Sequence, residues 1–242
     1  MEYKYTGIVI GKRDVGETDR IYSMYTLESG KIQALAKGVR KPQAKLAGSL
    51  ENFTLADITV MRTRGMGKIT SSIVEKNHVF LKKNYEALMN SLQSMQVFNR
   101  LVDLEHCDKK IFLLLEEFLE QLNLIARNQK KAEEAFESCL LLRLGFSFKL
   151  LNELGYSLIV SECVNCGQEL FPSNLHFNAS QGGIICQNCF TQAQNSIRIN
   201  SSVVKLLRLF LQNDLNKLLK VKVSSADLRL TQGVLQNFLN WL

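Results

Sequence analysis

The pattern of apolar and polar positions changes at about residue 84. Before this point, five short apolar runs alternate with Gly-, Asp- and Ser-containing connections, which is typical of β-strands joined by turns. The runs are YTGIVIGK, RIYSMYTL, KIQALAKG, ENFTLADITVMR and KITSSIVE. Five short strands in so short a stretch predict a small closed barrel.

Beyond residue 84, Leu, Met and Phe recur at intervals of three and four residues, the period of amphipathic helices that pack against one another. The pattern predicts helices over residues 84–104, 108–128, 130–156, 201–221 and 224–242. Residues 156–195 lack this period and contain four of the six cysteines. This segment is therefore predicted to be an insertion within a helical domain.

The sequence indicates the cellular compartment, and the compartment affects how the cysteines are interpreted. The first twenty residues lack the apolar core of a signal peptide, and no stretch has the length of a membrane span. We therefore expect a soluble, cytoplasmic protein that does not bind membranes. In a reducing compartment, closely spaced cysteines are metal ligands more often than disulfides.

Two Cys-x-x-Cys pairs, nineteen residues apart, supply the predicted metal ligands Cys163, Cys166, Cys186 and Cys189. This spacing is typical of a tetrahedral Zn²⁺ site, and four sulfurs leave no open position for a catalytic water. A redox dithiol, a site without metal, or replacement of one sulfur by His176 are the alternatives. No Lys or Arg lies between the pairs, whereas a zinc finger that binds DNA needs basic residues to contact phosphates. One structural zinc ion is therefore favoured over a DNA-binding zinc finger.

The charge of the chain is unevenly distributed. Residues 1–83 contain fifteen Lys and Arg against eight Asp and Glu, which accounts for the whole net charge of +7, whereas the rest of the chain contains fifteen of each. Such an excess in one region is typical of a surface that binds a polyanion. A solvated surface with no ligand is the alternative.

The OB-fold is a five-stranded barrel that binds oligonucleotides on its second and third strands and on the loops after strands one and four. Basic residues are predicted at these places, in the first loop, along the third strand and its KGVRKPQAK extension, and in the RTRGMGK loop. The candidate DNA contacts are Lys12, Arg13, Lys31, Lys37, Arg40, Lys41, Lys45, Arg62, Arg64 and Lys68. Tyr22, Tyr25 and Phe53 are candidates either for base stacking or for the barrel core.

Motifs of nucleotide hydrolysis and metal catalysis are absent from the sequence. It has no G-x-x-x-x-G-K-[ST] loop and no H-E-x-x-H, and its three histidines are scattered at positions 78, 106 and 176. We therefore expect a binding protein and not an enzyme. An RNA-binding protein of transcription or translation is the alternative, followed by a metal-dependent hydrolase.

Three segments resemble the bacterial recombination mediator family RecO in order and approximate spacing. They are GETDRIYSMYTLESGKIQALAKGVRK, LRLGFSFKLLNELGYSLIVSECVNCG and HFNASQGGIICQNC. The predicted fold class is α+β, with an N-terminal five-stranded OB-fold barrel followed by an α-helical domain with an inserted four-cysteine zinc module. The corresponding domains are residues 1–80, residues 81–155 with 196–242, and residues 156–195.

The resemblance also implies a function in DNA repair and recombination. It implies binding of single- and double-stranded DNA and annealing of complementary strands coated by single-stranded-DNA-binding protein. It further implies that the partner RecR joins in assisting the loading of RecA, and that the protein is associated with the nucleoid.

Overall fold

The computed structural model describes residues 1–62, 65–128, 131–172, 174–192 and 196–242. The chain forms two compact units, Met1–Arg127 and Asn128–Leu242. The three predicted domains have other boundaries and remain a prediction. Within the described ranges, no helix is both long and apolar enough to cross a membrane.

The first unit begins with a closed barrel, as the alternating apolar runs predict. Its strands are β1 (Glu2–Val15), β2 (Asp19–Thr26), β3 (Gly30–Ala36), β4 (Leu55–Met61) and β5 (Gly67–Lys76). They follow one another around the barrel in the order β1-β2-β3-β5-β4, and only the β3–β5 pair is parallel. The predicted OB-fold class is confirmed.

Alternate residues of each strand point into the barrel and form its core. Val9, Met24, Ile32 and Ile58 are almost fully buried there. Because successive side chains of a strand point to opposite faces, their neighbours in sequence lie on the outer surface. The polar and basic residues between the apolar positions are thus directed outward.

Helices α1 (Val79–Lys83), α2 (Tyr85–Leu101) and α3 (Lys109–Arg127) complete the first unit. Of these, α2 and α3 cover part of the outer surface of β2 and β3. The ring of Tyr25 meets Phe98 of α2 edge-on at 5.1 Å and stacks against Phe112 of α3 at 6.5 Å between ring centroids. One end of the OB-fold's usual binding face is therefore buried by the protein itself.

Gly30, at the start of β3, allows the barrel to approach the α2–α3 connection closely. Its φ of 63° lies in the left-handed region, and a Cβ there would lie 1.9 Å from the carbonyl oxygen of His106. Any other residue at this position would have a strained backbone conformation, and its Cβ would clash with the α2–α3 connection.

The second unit contains helices α4 (Ala132–Glu153), α5 (Ser201–Gln212), α6 (Leu215–Leu218) and α7 (Ser225–Trp241). Between α4 and α5 lie a 3-10 helix, Gln187–Gln192, and the strands β6 (Leu175–Asn178), β7 (Gly183–Ile185) and β8 (Ser196–Ile199). These strands form a sheet in the order β7-β6-β8. Strands of three or four residues are too short for an alternating pattern to predict.

Candidate metal centre and nucleic-acid interface

The four predicted metal ligands lie together in the second unit. The sulfur atoms of Cys163, Cys166, Cys186 and Cys189 are all within 4.8 Å of one another. The Sγ atoms of Cys166 and Cys186 are 3.9 Å apart, and tetrahedral zinc with bonds of about 2.3 Å separates its sulfurs by about 3.8 Å. No disulfide joins cysteines in the described part of the chain. The cluster therefore has the donor atoms and the size of a four-cysteine zinc site.

The backbone around the cluster holds the two cysteine pairs in place. Each pair forms a turn, in which the N–H of Gly167 donates to the carbonyl of Cys163 and that of Cys189 to Cys186. The N–H of Cys186 also reaches across to the Cys163 sulfur at 3.4 Å. Both turns thus direct their sulfurs toward one point.

Gly183 brings the two halves of this module close together. A Cβ on Gly183 would lie 2.6 Å from the carbonyl oxygen of Ile159 and 2.4 Å from a methyl group of Val164. Ile184 donates its N–H to Ile159 and accepts one from Val164 at its carbonyl. The Gly182-Gly183 step therefore lets the second pair fold back onto the first.

The protonation of the cluster favours a bound cation. Burial opposes ionisation of Cys163, but backbone N–H groups of Cys186, Cys166 and Asn165 lower its pKa to about 6. Hydrogen bonds to the sulfurs of Cys166 and Cys186 raise the pKa of Cys189 to about 12. Four sulfurs this close cannot all be thiolates unless a positive charge is present, which a divalent metal supplies. His176 lies apart, with its ring stacked on Phe190 at 3.7 Å.

The candidate nucleic-acid interface lies on the barrel, where paired residues form a row across four strands. Arg13 of β1 pairs with Ile21 of β2, Ile21 with Leu35 of β3, and Leu35 with Lys68 of β5. Directly paired residues project to the same face of a sheet. We call these four residues the basic row, because it carries a cation at each end and apolar side chains between them.

Further cations lie on the connection that follows β3. Lys37, Lys41 and Lys45 are exposed there. The N–H of Arg40 donates to the carbonyl of Thr18 in the β1–β2 turn at 2.9 Å. This hydrogen bond brings the start of the connection to the strand end that carries Arg13.

Two acidic residues, Asp14 and Asp19, partly neutralise this end of the barrel, and Asp19 interacts electrostatically with Lys37 and Lys41. Asp14 accepts a hydrogen bond from the Arg20 guanidinium at 2.6 Å and lies 3.5 Å from that of Arg40. The hydrogen bond from Arg20 is the largest effect that holds the pKa of Asp14 below its ordinary value. Five of the predicted DNA contacts form no ion pair in the described ranges. They are Arg13, Lys37, Lys41, Lys45 and Lys68. Their charge is available to a ligand.

The structure corrects the prediction for Lys31. Its ammonium group is not exposed on the third strand but donates to the carbonyls of Asn99 at 2.9 Å and Val102 at 2.7 Å, at the end of α2. Burial lowers the pKa of Lys31. A cation at a helix C-terminus satisfies carbonyls that have no partner within the helix. Lys31 therefore attaches α2 to the barrel and is not exposed as predicted, and its contact with DNA stays a prediction.

The prediction that Lys12 and Arg13 lie in the loop after the first strand is wrong, because both residues belong to β1. Strand β1 continues to Val15, and both residues are paired with β2. Because their side chains alternate, Arg13 joins the outer face, whereas Lys12 lies on the other face and forms an ion pair with Glu51 at 2.9 Å. Only Arg13 belongs to the basic row.

The aromatic candidates are part of the core. Tyr22, Tyr25 and Phe53 are at most 1% exposed, which is the second of the two predicted alternatives. The barrel offers another aromatic residue that the sequence analysis does not single out. Tyr3 is 40% exposed, and its ring stacks on Tyr5 at 6.3 Å.

Arg62 lies beside this ring, with its guanidinium carbon 5.9 Å from the ring centroid of Tyr3. Its Nε is buried and has no hydrogen-bond partner within the described ranges. Tyr3 and Arg62 thus form an aromatic and cationic pair where β1 begins and β4 ends. Arg64 falls outside the described residues. The only sequence indication of Tyr3 is its aromatic type at the start of a strand.

Family models match both parts of the chain. The model for the N-terminal part of recombination protein O matches residues 1–77, and the model for its C-terminal part matches residues 95–242. The chain belongs to the RecO family.

Curated RecO relatives cover almost the whole chain. A protein of Dehalococcoides mccartyi named DNA repair protein RecO is 30% identical over 92% of this chain and 83% of its own length. Proteins of the same name from Acetivibrio thermocellus and Desulforamulus reducens are 26% and 25% identical over 93% and 99% of the chain, and over 85% and 89% of their own lengths. RecO membership supports a role in DNA repair and recombination.

Proposed function

We propose that the protein is a DNA-repair and recombination mediator that binds single- and double-stranded DNA through its barrel and anneals complementary strands coated by single-stranded-DNA-binding protein. With RecR it assists the loading of RecA. It acts in the bacterial cytoplasm at the nucleoid, by binding and without a catalytic step. The observation that carries this proposal is the basic row, whose terminal cations are exposed and have no ion-pair partner among the described residues, in a chain of the RecO family.

Annealing requires a surface that lowers the repulsion between two DNA strands. Two strands of equal charge repel each other, and a surface that replaces their counterions with fixed cations reduces this repulsion without reading sequence. Two strands separate Arg13 from Lys68 along the row, and their residues Ile21 and Leu35 lie between the two cations. The row therefore supports contact with a phosphate backbone across the barrel, and Tyr3 with Arg62 adds a place for a base to stack.

The cysteine cluster has a separate role in this proposal. One Zn²⁺ held by Cys163, Cys166, Cys186 and Cys189 would link residues before β6 to residues after β7. Bound zinc would supply four metal–sulfur bonds and no catalytic chemistry, because no coordination position remains for water. Its role is to stabilise the second unit.

An annealing assay tests the function. Complementary oligonucleotides are coated with single-stranded-DNA-binding protein, and duplex formation is followed by fluorescence quenching. We expect the protein to accelerate annealing without a nucleotide, and we expect the Arg13→Ala/Lys68→Ala variant to lose most of this acceleration. Lys109→Ala/Lys222→Ala removes the same charge at exposed positions outside the barrel and is expected to remain active.

Two results would contradict the proposal. An annealing rate equal to that of the protein-free control would exclude the mediator function. Tighter binding to an oligoribonucleotide than to DNA of the same sequence would instead favour the RNA-binding alternative. Pull-down with purified RecR tests the partner separately from the DNA contacts.

A further inference from the structure

Residues 37–54 join β3 to β4 as a succession of turns, without a helix or strand of their own. We call them the basic connection, because they carry four cations and one acidic residue. Three of the cations, Lys37, Lys41 and Lys45, are exposed. A flexible segment loses conformational freedom when it binds a ligand, and this loss lowers its affinity. What these cations contribute to binding therefore depends on how firmly the barrel holds the connection.

The side chain of Asp19, the first residue of β2, holds the start of the basic connection. Its Oδ1 accepts a hydrogen bond from the Gly38 N–H at 2.7 Å and another from the Thr18 hydroxyl at 3.0 Å. Gly38 has a left-handed φ of 64°, and its carbonyl accepts from the Lys41 N–H at 3.1 Å. The carboxylate of Asp19 is thus bonded to the residue at which the chain turns between Lys37 and Lys41.

The neighbouring residues of the connection are held by other means. The Arg40 N–H donates to the Thr18 carbonyl at 2.9 Å, and its guanidinium donates to the Gly16 carbonyl at 3.4 Å. Val39 is 2% exposed and belongs to the barrel core. Backbone and core contacts therefore fix residues 39 and 40, whereas the side chain of Asp19 fixes Gly38.

The charge of Asp19 has the wrong sign for a DNA-binding surface. The hydrogen bond from the Gly38 N–H is the largest effect that lowers its pKa, and the charges of Lys37 and Lys41 lower it further. The side chain therefore remains a carboxylate at neutral pH. A carboxylate repels phosphate, so by charge alone its removal should strengthen DNA binding. Its hydrogen bond to the connection predicts the opposite.

We propose that Asp19 is a positioning residue for DNA binding, which holds the basic connection through Gly38 so that Lys37 and Lys41 meet the phosphate backbone together with the basic row. Loss of its oxygen atom weakens binding although a repulsive charge disappears. The requirement is for a hydrogen-bond acceptor at this place and not for a negative charge. This inference rests on the proposed DNA binding by the barrel.

Two substitutions at one position separate the acceptor from the charge. Asp19→Ala and Asp19→Asn both remove the negative charge, but only Asn keeps an Oδ1 that can accept from Gly38. Affinity for a labelled thymidine 20-mer is measured by fluorescence anisotropy. We expect Asp19→Ala to bind about fivefold more weakly than wild type, because its connection must become ordered on binding. Asp19→Asn is expected to bind at least as tightly as wild type.

The salt dependence distinguishes positioning from a general loss of stability. A folded Asp19→Ala variant that has lost one phosphate contact should show a slope of log affinity against log salt concentration that is flatter by about 0.7. Asp19→Asn should keep the wild-type slope. Hydrogen exchange gives a readout without DNA, in which the amides of residues 37–46 should exchange faster in Asp19→Ala and at the wild-type rate in Asp19→Asn.

Glu17→Ala is the matched control for charge. It removes a negative charge from an exposed position in the same β1–β2 turn, and it should bind DNA at least as tightly as wild type. If Asp19→Ala lowers the melting temperature, Thr18→Val replaces it. This variant keeps the shape of Thr18 but loses the hydroxyl that donates to Asp19, and it should bind about twofold more weakly.

The possible outcomes separate the positioning role from DNA binding itself. Equal affinities and slopes for Asp19→Ala and Asp19→Asn would overturn the positioning role and leave DNA binding intact. Wild-type affinity of Thr18→Val would do the same where that variant is needed. If the wild-type protein does not raise the anisotropy, the proposed DNA binding fails, and the positioning role fails with it.

Discussion

The cysteine cluster and the basic row satisfy opposite physical requirements. The cluster brings four sulfurs within 4.8 Å of one another, and glycine and backbone hydrogen bonds determine their positions. The cations of the row lie at opposite ends of a four-strand face and contact no acidic partner in the described ranges. Metal ligation depends on tenths of an ångström, whereas attraction of a polyanion acts over about 10 Å.

This difference determines how each region responds to change. Loss of one sulfur leaves a bound metal with only three cysteine ligands. Metal binding by the whole cluster should therefore be lost at once. Loss of one cation removes one of several similar contributions, so DNA affinity should fall in steps.

Cys186→Ser should have the largest effect. Structural zinc contributes about 10–16 kcal/mol in isolated zinc-finger peptides, and loss of even part of this should lower the melting temperature of the second unit by more than about 10 °C. Elemental analysis and calorimetry measure metal and stability together. Cys107→Ser, at an exposed cysteine outside the cluster, should retain one zinc per chain. Full stability of Cys186→Ser without metal would contradict the structural role.

Lys31→Ala should reduce stability and leave the electrostatics of DNA binding unchanged. The carbonyls of Asn99 and Val102 would lose their donor, which we expect to lower the free energy of unfolding by about 2 kcal/mol. Urea denaturation measures this loss. Lys37→Ala, at an exposed position just beyond β3, should change stability by less than about 0.5 kcal/mol. A flatter salt dependence of DNA binding in Lys31→Ala would show that this lysine contacts phosphate after all.

Arg13→Ala with Lys68→Ala should weaken single-stranded DNA binding by about tenfold at moderate salt. Each lost phosphate contact removes about 0.7 from the slope of log affinity against log salt concentration, so the double variant should flatten the slope by about 1.4. Anisotropy titrations at several salt concentrations give this slope. An unchanged slope would place the interface elsewhere on the protein.

Tyr3→Ala should cost about 1 kcal/mol of single-stranded DNA affinity, the lower end of the range for one stacked base. Tyr3→Phe keeps the ring and should bind as wild type. Because stacking involves no charge, the salt slope should be the same in all three proteins. Equal affinity of Tyr3→Ala and wild type would show that the ring only packs against Arg62.

The smallest expected effect concerns pH. Burial lowers the pKa of Lys82 to about 8, and a solvated lysine has a pKa of about 10.4. Between these values the unfolded chain retains a proton that the folded protein has released, so the free energy of unfolding rises with pH. Because Lys82 is only half-buried, we expect solvent screening to limit the rise in the free energy of unfolding between pH 8 and 10 to about 1 kcal/mol. Urea titrations should show no such rise in the free energy of unfolding for Lys82→Met. The same pH dependence in Lys82→Met and wild type would contradict the assignment to Lys82.

The sequence predicts the barrel well because burial on one face imposes a period of two. Val9, Met24 and Ile32 follow this period, and all three are core residues. The clustering of the four cysteines was equally predictable, since both halves of the site are local Cys-x-x-Cys turns. The short sheet of the second unit was not predictable, because its pairing joins Leu175 to Ile199 across 24 positions.

The difference between the predicted and the observed exposure of Lys31 has a clear physical cause. A basic residue on an outward position of a strand is exposed only if nothing else covers that strand. Lys31 and Tyr25 obey the alternation, but α2 and α3 fold over them from more than sixty positions away along the chain. Arg13 and Lys68 satisfy the same pattern and remain uncovered. Periodicity determines the face of a residue, and only tertiary packing determines its access to solvent.

Gly30 shows how this packing limits evolutionary freedom. Any other residue there would combine a left-handed backbone with a contact of 1.9 Å to a carbonyl oxygen. We expect that the cations of the proposed DNA surface can be exchanged between Lys and Arg, or moved by a residue, without loss of their long-range attraction. We therefore expect saturation mutagenesis to find less tolerance at Gly30, which carries no charge, than at the exposed lysines proposed to contact DNA.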